Sequence, residues 1–118
     1  MSMDFSIDKK LLGDVALISV TGFLDAHTFE ELEEAITEMF SVGRYRIIVD
    51  LSGVDYISSA GAGVFIGALS ESQENGGNIV LMNPTPNVRE VFDLLGLSQI
   101  FNIVDDLEKA KSVFAPTA

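Results

Sequence analysis

Arg46-Ile47-Ile48-Val49-Asp50-Leu51-Ser52-Gly53-Val54-Asp55-Tyr56-Ile57-Ser58-Ser59-Ala60-Gly61-Ala62-Gly63-Val64-Phe65 begins as one kind of element and ends as another. Arg46 to Leu51 is a short, β-branched apolar run, the pattern of a central strand buried on both faces. Gly53 is expected to break it. After Tyr56 and Ile57, the small residues from Ser58 to Gly63 lead into Val64-Phe65-Ile66-Gly67-Ala68-Leu69, which reads as a helix. Interior glycines cost a helix about 1 kcal/mol each. The expected compensation is a close approach of the helix backbone to the sheet. A buried strand that feeds a helix directly is the unit of an α/β fold.

On the N-terminal side, Phe5 to Lys9 alternates as a strand and Val15 to Val20 returns, with a turn at Leu12-Gly13-Asp14. Gly22 to His27 is expected to be a loop. Thr28 and Glu31 have capping-box spacing. Behind them Phe29, Leu32, Ile36, Met39 and Phe40 recur at helical spacing, and Gly43 supplies a stop. On the C-terminal side, Asn75-Gly76-Gly77-Asn78 turns the chain into strand Ile79 to Met82. Pro84 and Pro86 follow, then a short helix capped by Asn87 with Val88, Val91, Phe92 and Leu95 as its core stripe, ended by Gly96. A last strand, Ile100 to Val104, precedes a terminal helix capped by Asp106 and carrying Leu107, Ala110 and Phe114. Ala115 to Ala118 should fray. The prediction is one α/β domain over residues 1–118, with a mixed sheet of about five strands and about four packed helices.

Composition narrows the function. Seven Lys plus Arg against eighteen Asp plus Glu give a formal charge of -11. That argues against direct contact with nucleic acid, whose phosphates are held by Lys and Arg. With 47% hydrophobic residues the chain can fill a core and is no acidic disordered tail. It has no Cys, hence no disulfide, thiolate chemistry or Cys-ligated zinc. Met1 to Asp4 shows no signal-peptide pattern, and no apolar run approaches the roughly 20 residues that span a bilayer. The expectation is a cytoplasmic protein without membrane insertion.

The junction at Ser58-Ser59 is the segment most suited to chemistry. Two hydroxyls stand at a helix start, where unpaired N–H groups and the helix dipole favour an anion. The plainer role for one of them is N-cap, and both roles can coexist. Gly61-x-Gly63 lacks the third glycine of the dinucleotide fingerprint, since Ile66 stands there, and no Walker pattern is present. Ser59 is not in a Gly-x-Ser-x-Gly elbow. His27, the sole His, could join Asp25 and Ser59 in a triad of a small hydrolase. Asp25 and His27 form no cluster with metal-ligand spacing, so neither metal nor cofactor is expected. Glu30, Glu33, Glu34 and Glu38 make a solvated helix face, or a dock for a basic partner.

From Asp50 to Phe65 the chain resembles the STAS domain of bacterial anti-sigma factor antagonists. The pattern there is Asp-Leu-Ser-x-Val-x-aromatic-hydrophobic-Asp-Ser-small-Gly-Leu-Gly. Gly22-Phe23-Leu24-Asp25-Ala26-His27-Thr28 resembles the family's Gly-x-Leu-Asp loop, and the order from Gly77-Asn78-Ile79 to Leu95-Gly96-Leu97 matches its second half. Three positions depart from the pattern: Ser58 stands in place of Asp, Ala60 in place of a Ser or Thr found in some members, and Ala62 in place of Leu.

The resemblance implies a regulator rather than an enzyme. Its unphosphorylated form would bind an anti-sigma factor that is a serine kinase and so free a sigma factor. Phosphorylation would release the kinase, and a PP2C-type phosphatase would reset the system. It assigns Ser59 as phosphoacceptor, with Ser58 as the alternative, and a partner surface of Asp25, Ser58, Ser59, Ala60, Gly61 and Ala62. The other use of such a domain is as a scaffold or regulatory subunit, for example a transporter accessory, without phosphotransfer.

Overall fold

The computed structural model describes residues 5–114; the frayed end expected at Ala115 to Ala118 and the pattern read at Met1 to Asp4 lie outside them. Strands β1 (Ser6–Leu12) and β2 (Val15–Leu24) form an antiparallel hairpin around Gly13 and Asp14. Then α1 (Phe29–Ser41), β3 (Arg46–Ile57), α2 (Ser59–Glu74), β4 (Asn78–Met82) and α3 (Pro86–Leu94) alternate. A 3-10 turn (Leu97–Gln99), β5 (Asn102–Val104) and α4 (Leu107–Phe114) complete the described chain. The sheet order is β1-β2-β3-β4-β5, with β2 to β5 parallel, as a mixed α/β sheet requires.

Every crossover steps one strand in the same direction, so a common handedness puts α1, α2 and α3 on one face. The main core lies there, with Leu32 and Ile36 from α1, Phe65 and Leu69 from α2, and Phe92 from α3 over Ile18, Ile47, Val49 and Leu81. Phe65 stands edge-on to both Phe92 and Phe101. Among the described residues the opposite face is covered only in part: α4 brings Ala110 onto Val15, Ile48, Val80 and Met82.

Two strands run further than the sequence suggests. β2 continues through Gly22 to Leu24, and β3 passes through Gly53 without ending. The pairing explains this. Opposite β2, β3 carries an extra residue between Asp50 and Gly53 and another, Asp55, between Val54 and Tyr56. Each bulge shifts the alternation by one, so Leu51, Val54 and Ile57 all point into the core at three-residue spacing. A period of three does not read as a strand. Gly53 suits the first bulge because a Cβ there would stand 2.9 Å from Thr21 Oγ1 and 3.0 Å from the Val20 carbonyl oxygen.

Local caps also differ. Thr28 precedes α1 but forms no capping box; its hydroxyl donates to Phe23 O at 2.6 Å and accepts the Asp25 N–H at 3.0 Å, closing the loop instead. Thr85, not Asn87, caps α3, with Pro86 in the first turn where its missing N–H costs nothing. Leu95 is exposed, and the core stripe of α3 is Val88 and Phe92 with Val91 half-buried against it. The last strand starts only at Asn102, since Leu97–Gln99 coils first. Beside that turn, the Ser98 hydroxyl and then Arg89 hold the Asp93 carboxyl below its usual range. As predicted, Gly43 ends α1: its N–H bonds Phe40 O and the Arg44 N–H bonds Met39 O, a Schellman pair. Asp106 caps α4 through the Lys109 N–H at 2.9 Å.

The glycines of α2 are not alike. A Cβ on Gly61 would sit 2.5 Å from the Leu24 carbonyl oxygen, whereas Gly63 and Gly67 face open space. The close approach expected of the whole helix start therefore rests on Gly61. Urea denaturation should show Gly61→Ala destabilised by about 1–3 kcal/mol through overpacking. Gly67→Ala should be stabilised by up to about 1 kcal/mol, from propensity alone. Equal effects of the two substitutions would refute this distinction.

Candidate functional site

The carboxyl ends of the interior strands β2 and β3 meet the start of α2. The Ser58 N–H donates to Leu24 O at 3.0 Å, which ties the junction to the residue before Asp25. Ser58 is extended (φ -99°, ψ 171°), and its hydroxyl accepts the Gly61 N–H at 3.2 Å while its carbonyl accepts the Ala62 N–H at 2.9 Å. Ser58 is thus the N-cap of α2, and Ser59 is the first helical residue.

The two hydroxyls differ in consequence. Ser58 is half-buried and committed to the cap, whereas Ser59 and Ala60 are exposed at the helix start. Gly61 and Ala62 are buried, Ala62 at 1% exposure. Their part is to seat the helix against β2, and Ala62 offers no side-chain surface to a partner.

Asp25 opens the loop into α1. Its carboxylate accepts the backbone N–H of His27 at 2.9 Å, and its carbonyl accepts the N–H groups of Thr28 and Phe29. The carboxylate therefore organises a tight turn beside the junction. The arrangement predicted for a hydrolase is not assembled: Asp25 meets the main chain of His27, and among the described residues the His27 ring has no hydrogen bond to Asp25 or Ser59. Nor do the described residues contain a cluster of three or more potential metal ligands. No described helix is long and apolar enough to cross a membrane.

Sequence reasoning missed two residues near these strand ends. Phe23 and Tyr56 pair across β2 and β3 with ring centroids 5.9 Å apart, edge to face, and remain 44% and 51% exposed. The bulge at Asp55 turns Tyr56 away from the core while Val54 and Ile57 stay inside. Strict alternation from Val54 would have placed Tyr56 within. The available signal was the set Leu51, Val54, Ile57, whose spacing requires a bulge if all three are to be buried.

Known proteins share this architecture. Residues 6–110 match the family model described as the STAS domain. The chain is 29% identical over 106 residues to an anti-sigma-B factor antagonist of Staphylococcus epidermidis, covering 90% of this chain and 98% of that one. It is 31% identical to the protein of that description from Staphylococcus aureus, with the same coverage. The solved structure of an anti-sigma factor antagonist from Mycobacterium paratuberculosis shares the fold, with a TM-score of 0.86 at 23% identity over 96% of this chain and 97% of that one. The family match spans the sheet, the α2 junction and the start of α4, and on it the chain belongs to the STAS domain family.

Proposed function

We propose that this chain is an anti-sigma factor antagonist that acts by partner switching in the cytoplasm. In its unmodified form it binds an anti-sigma factor that is also a serine kinase, and a sigma factor is freed. Phosphorylation of Ser59 ends the binding, and a PP2C-type phosphatase restores it. The observation that carries this reading is the division of labour at the junction: Ser58 is held in the cap, and Ser59 presents an exposed hydroxyl on the next residue. The relatives named as anti-sigma-B factor antagonists support the partner class.

The cap also accounts for Ser58 in place of the family's Asp. Ser and Asp are both good N-caps, so the helix start is kept while one negative charge is lost. A phosphate on Ser59 adds about -1.5 to -2 charges and three acceptor oxygens at one surface point. Desolvating that dianion within an interface costs several kcal/mol, enough to abolish a regulatory contact. The chain already carries -11, so it meets a basic partner surface at long range before the local charge decides. The missing carboxylate equally suits a scaffold or transporter accessory of the same fold that undergoes no phosphotransfer.

Intact mass after incubation with the cognate kinase and ATP should rise by one phosphate in the native chain and in Ser58→Ala, but not in Ser59→Ala. No mass change with an active kinase would favour the scaffold, and a shift retained only in Ser59→Ala would move the acceptor to Ser58. Stability separates the residues independently. Ser58→Ala should lose about 0.5–2 kcal/mol of unfolding free energy with the cap, and Ser59→Ala should stay within about 0.5 kcal/mol.

A further inference from the structure

Beyond their contact with each other across β2 and β3, Phe23 and Tyr56 take no part in either hydrophobic cluster of the described residues. Phe23 and Tyr56 lie on the sheet face opposite α1 and α2, outside the patch that α4 covers, and the main core closes without them. Phe23 faces outward by the regular alternation of β2, and the exposure of Tyr56 depends on the bulge at Asp55, which disrupts the β2–β3 ladder at that point. The pair is continuous with the junction: Phe23 precedes Leu24, whose carbonyl holds Ser58, and Tyr56 is two residues before that serine. Carboxylates flank it along both strands, Asp25 after Phe23 and Asp55 before Tyr56, and both are at least partly exposed. Two aromatic faces beside two carboxylates, on a chain of charge -11, suit a cation with an apolar stem.

We infer that Phe23 and Tyr56 anchor the partner by receiving an arginine side chain of the anti-sigma factor kinase. The guanidinium lies against the rings with Asp25 and Asp55 balancing its charge. This inference rests on the function proposed above and adds the residues that select the partner. Tyr56 falls at the aromatic position of the family pattern and Phe23 at the unspecified position of Gly-x-Leu-Asp, so what is particular to this chain is the ring that Phe23 adds to the pair. Binding and switching are thereby divided: the aromatic pair supplies affinity, and Ser59 decides whether that affinity is used. Exposed aromatics beside arginine are frequent centres of interface energy.

The test measures binding of the full chain to each purified kinase-type anti-sigma factor of its source organism by calorimetry. Thermal unfolding of every variant serves as a check of folding. Phe23→Ala and Tyr56→Ala should each weaken binding about tenfold or more while still unfolding cooperatively, with a melting temperature lowered only by the loss of their mutual cross-strand contact. Phe23→Leu, which keeps apolar area and loses the ring, should weaken it at least about threefold. Leu94→Ala, on an exposed residue of α3, should bind as the native chain does. Native affinity in Phe23→Ala and Tyr56→Ala would overturn the anchor, and full rescue by Phe23→Leu would overturn the arginine. An equal loss in Leu94→Ala would overturn the assignment of the anchor to this pair. Self-association of the native chain that disappears in Phe23→Ala would assign the patch to a second copy. Failure of the native chain to bind any of these kinases would instead overturn the proposed function, and the anchor with it.

Discussion

The carbonyl group of Leu24 sets the geometry on which the rest of the site depends. It accepts the Ser58 N–H and stands where any side chain at position 61 would have to go. Only glycine lets the first turn of α2 lie so close to the end of β2. Once it does, Ser58 can cap the helix, Ser59 is turned to solvent, and the Asp25 turn begins beside both. A small loss of helix propensity at Gly61 is offset by fixing three segments at one point.

The second organising feature is the pair of bulges in β3. They allow one long strand to serve the core with Leu51, Val54 and Ile57 and still aim Tyr56 outward. A regular strand of that length would bury residues at every second position and leave the exposed face of β2 and β3 without its aromatic pair. The same irregularity that complicates the ladder thus separates packing residues from displayed ones.

Much of this architecture was legible because its signals are local. The run Ile47-Ile48-Val49, the helical stripe of Leu32, Ile36 and Phe40, and the stops at Gly43 and Gly96 report directly on burial and chain reversal. The failures were cases in which a distant partner decided the outcome. Thr28 had the spacing of a capping box, but Phe23 and Asp25 claimed its hydroxyl. Thr85 rather than Asn87 took the cap of α3 and placed its hydroxyl 3.3 Å from Val54 O, a partner 31 residues away. Gly53 looked like a strand breaker because the neighbouring strand that accommodates it cannot be seen in one dimension. At the candidate site, the order of Ser58 and Ser59 was legible; which of them was occupied by the cap, and that Phe23 and Tyr56 would meet, depended on tertiary register.

The cap at Ser58 uses the N–H groups of Gly61 and Ala62, leaving those of Ser59 and Ala60 outside it. A neutral hydroxyl does this where a carboxylate would otherwise partly cancel the positive end of the helix. A phosphate on Ser59 would therefore meet an uncompensated helix end and need no rearrangement of the cap. In the phosphorylated form proposed above, the change a partner meets would then be negative charge and acceptor oxygens added at one surface point. The readout of such a device is a local change of charge, held on a helix start whose cap stays in place.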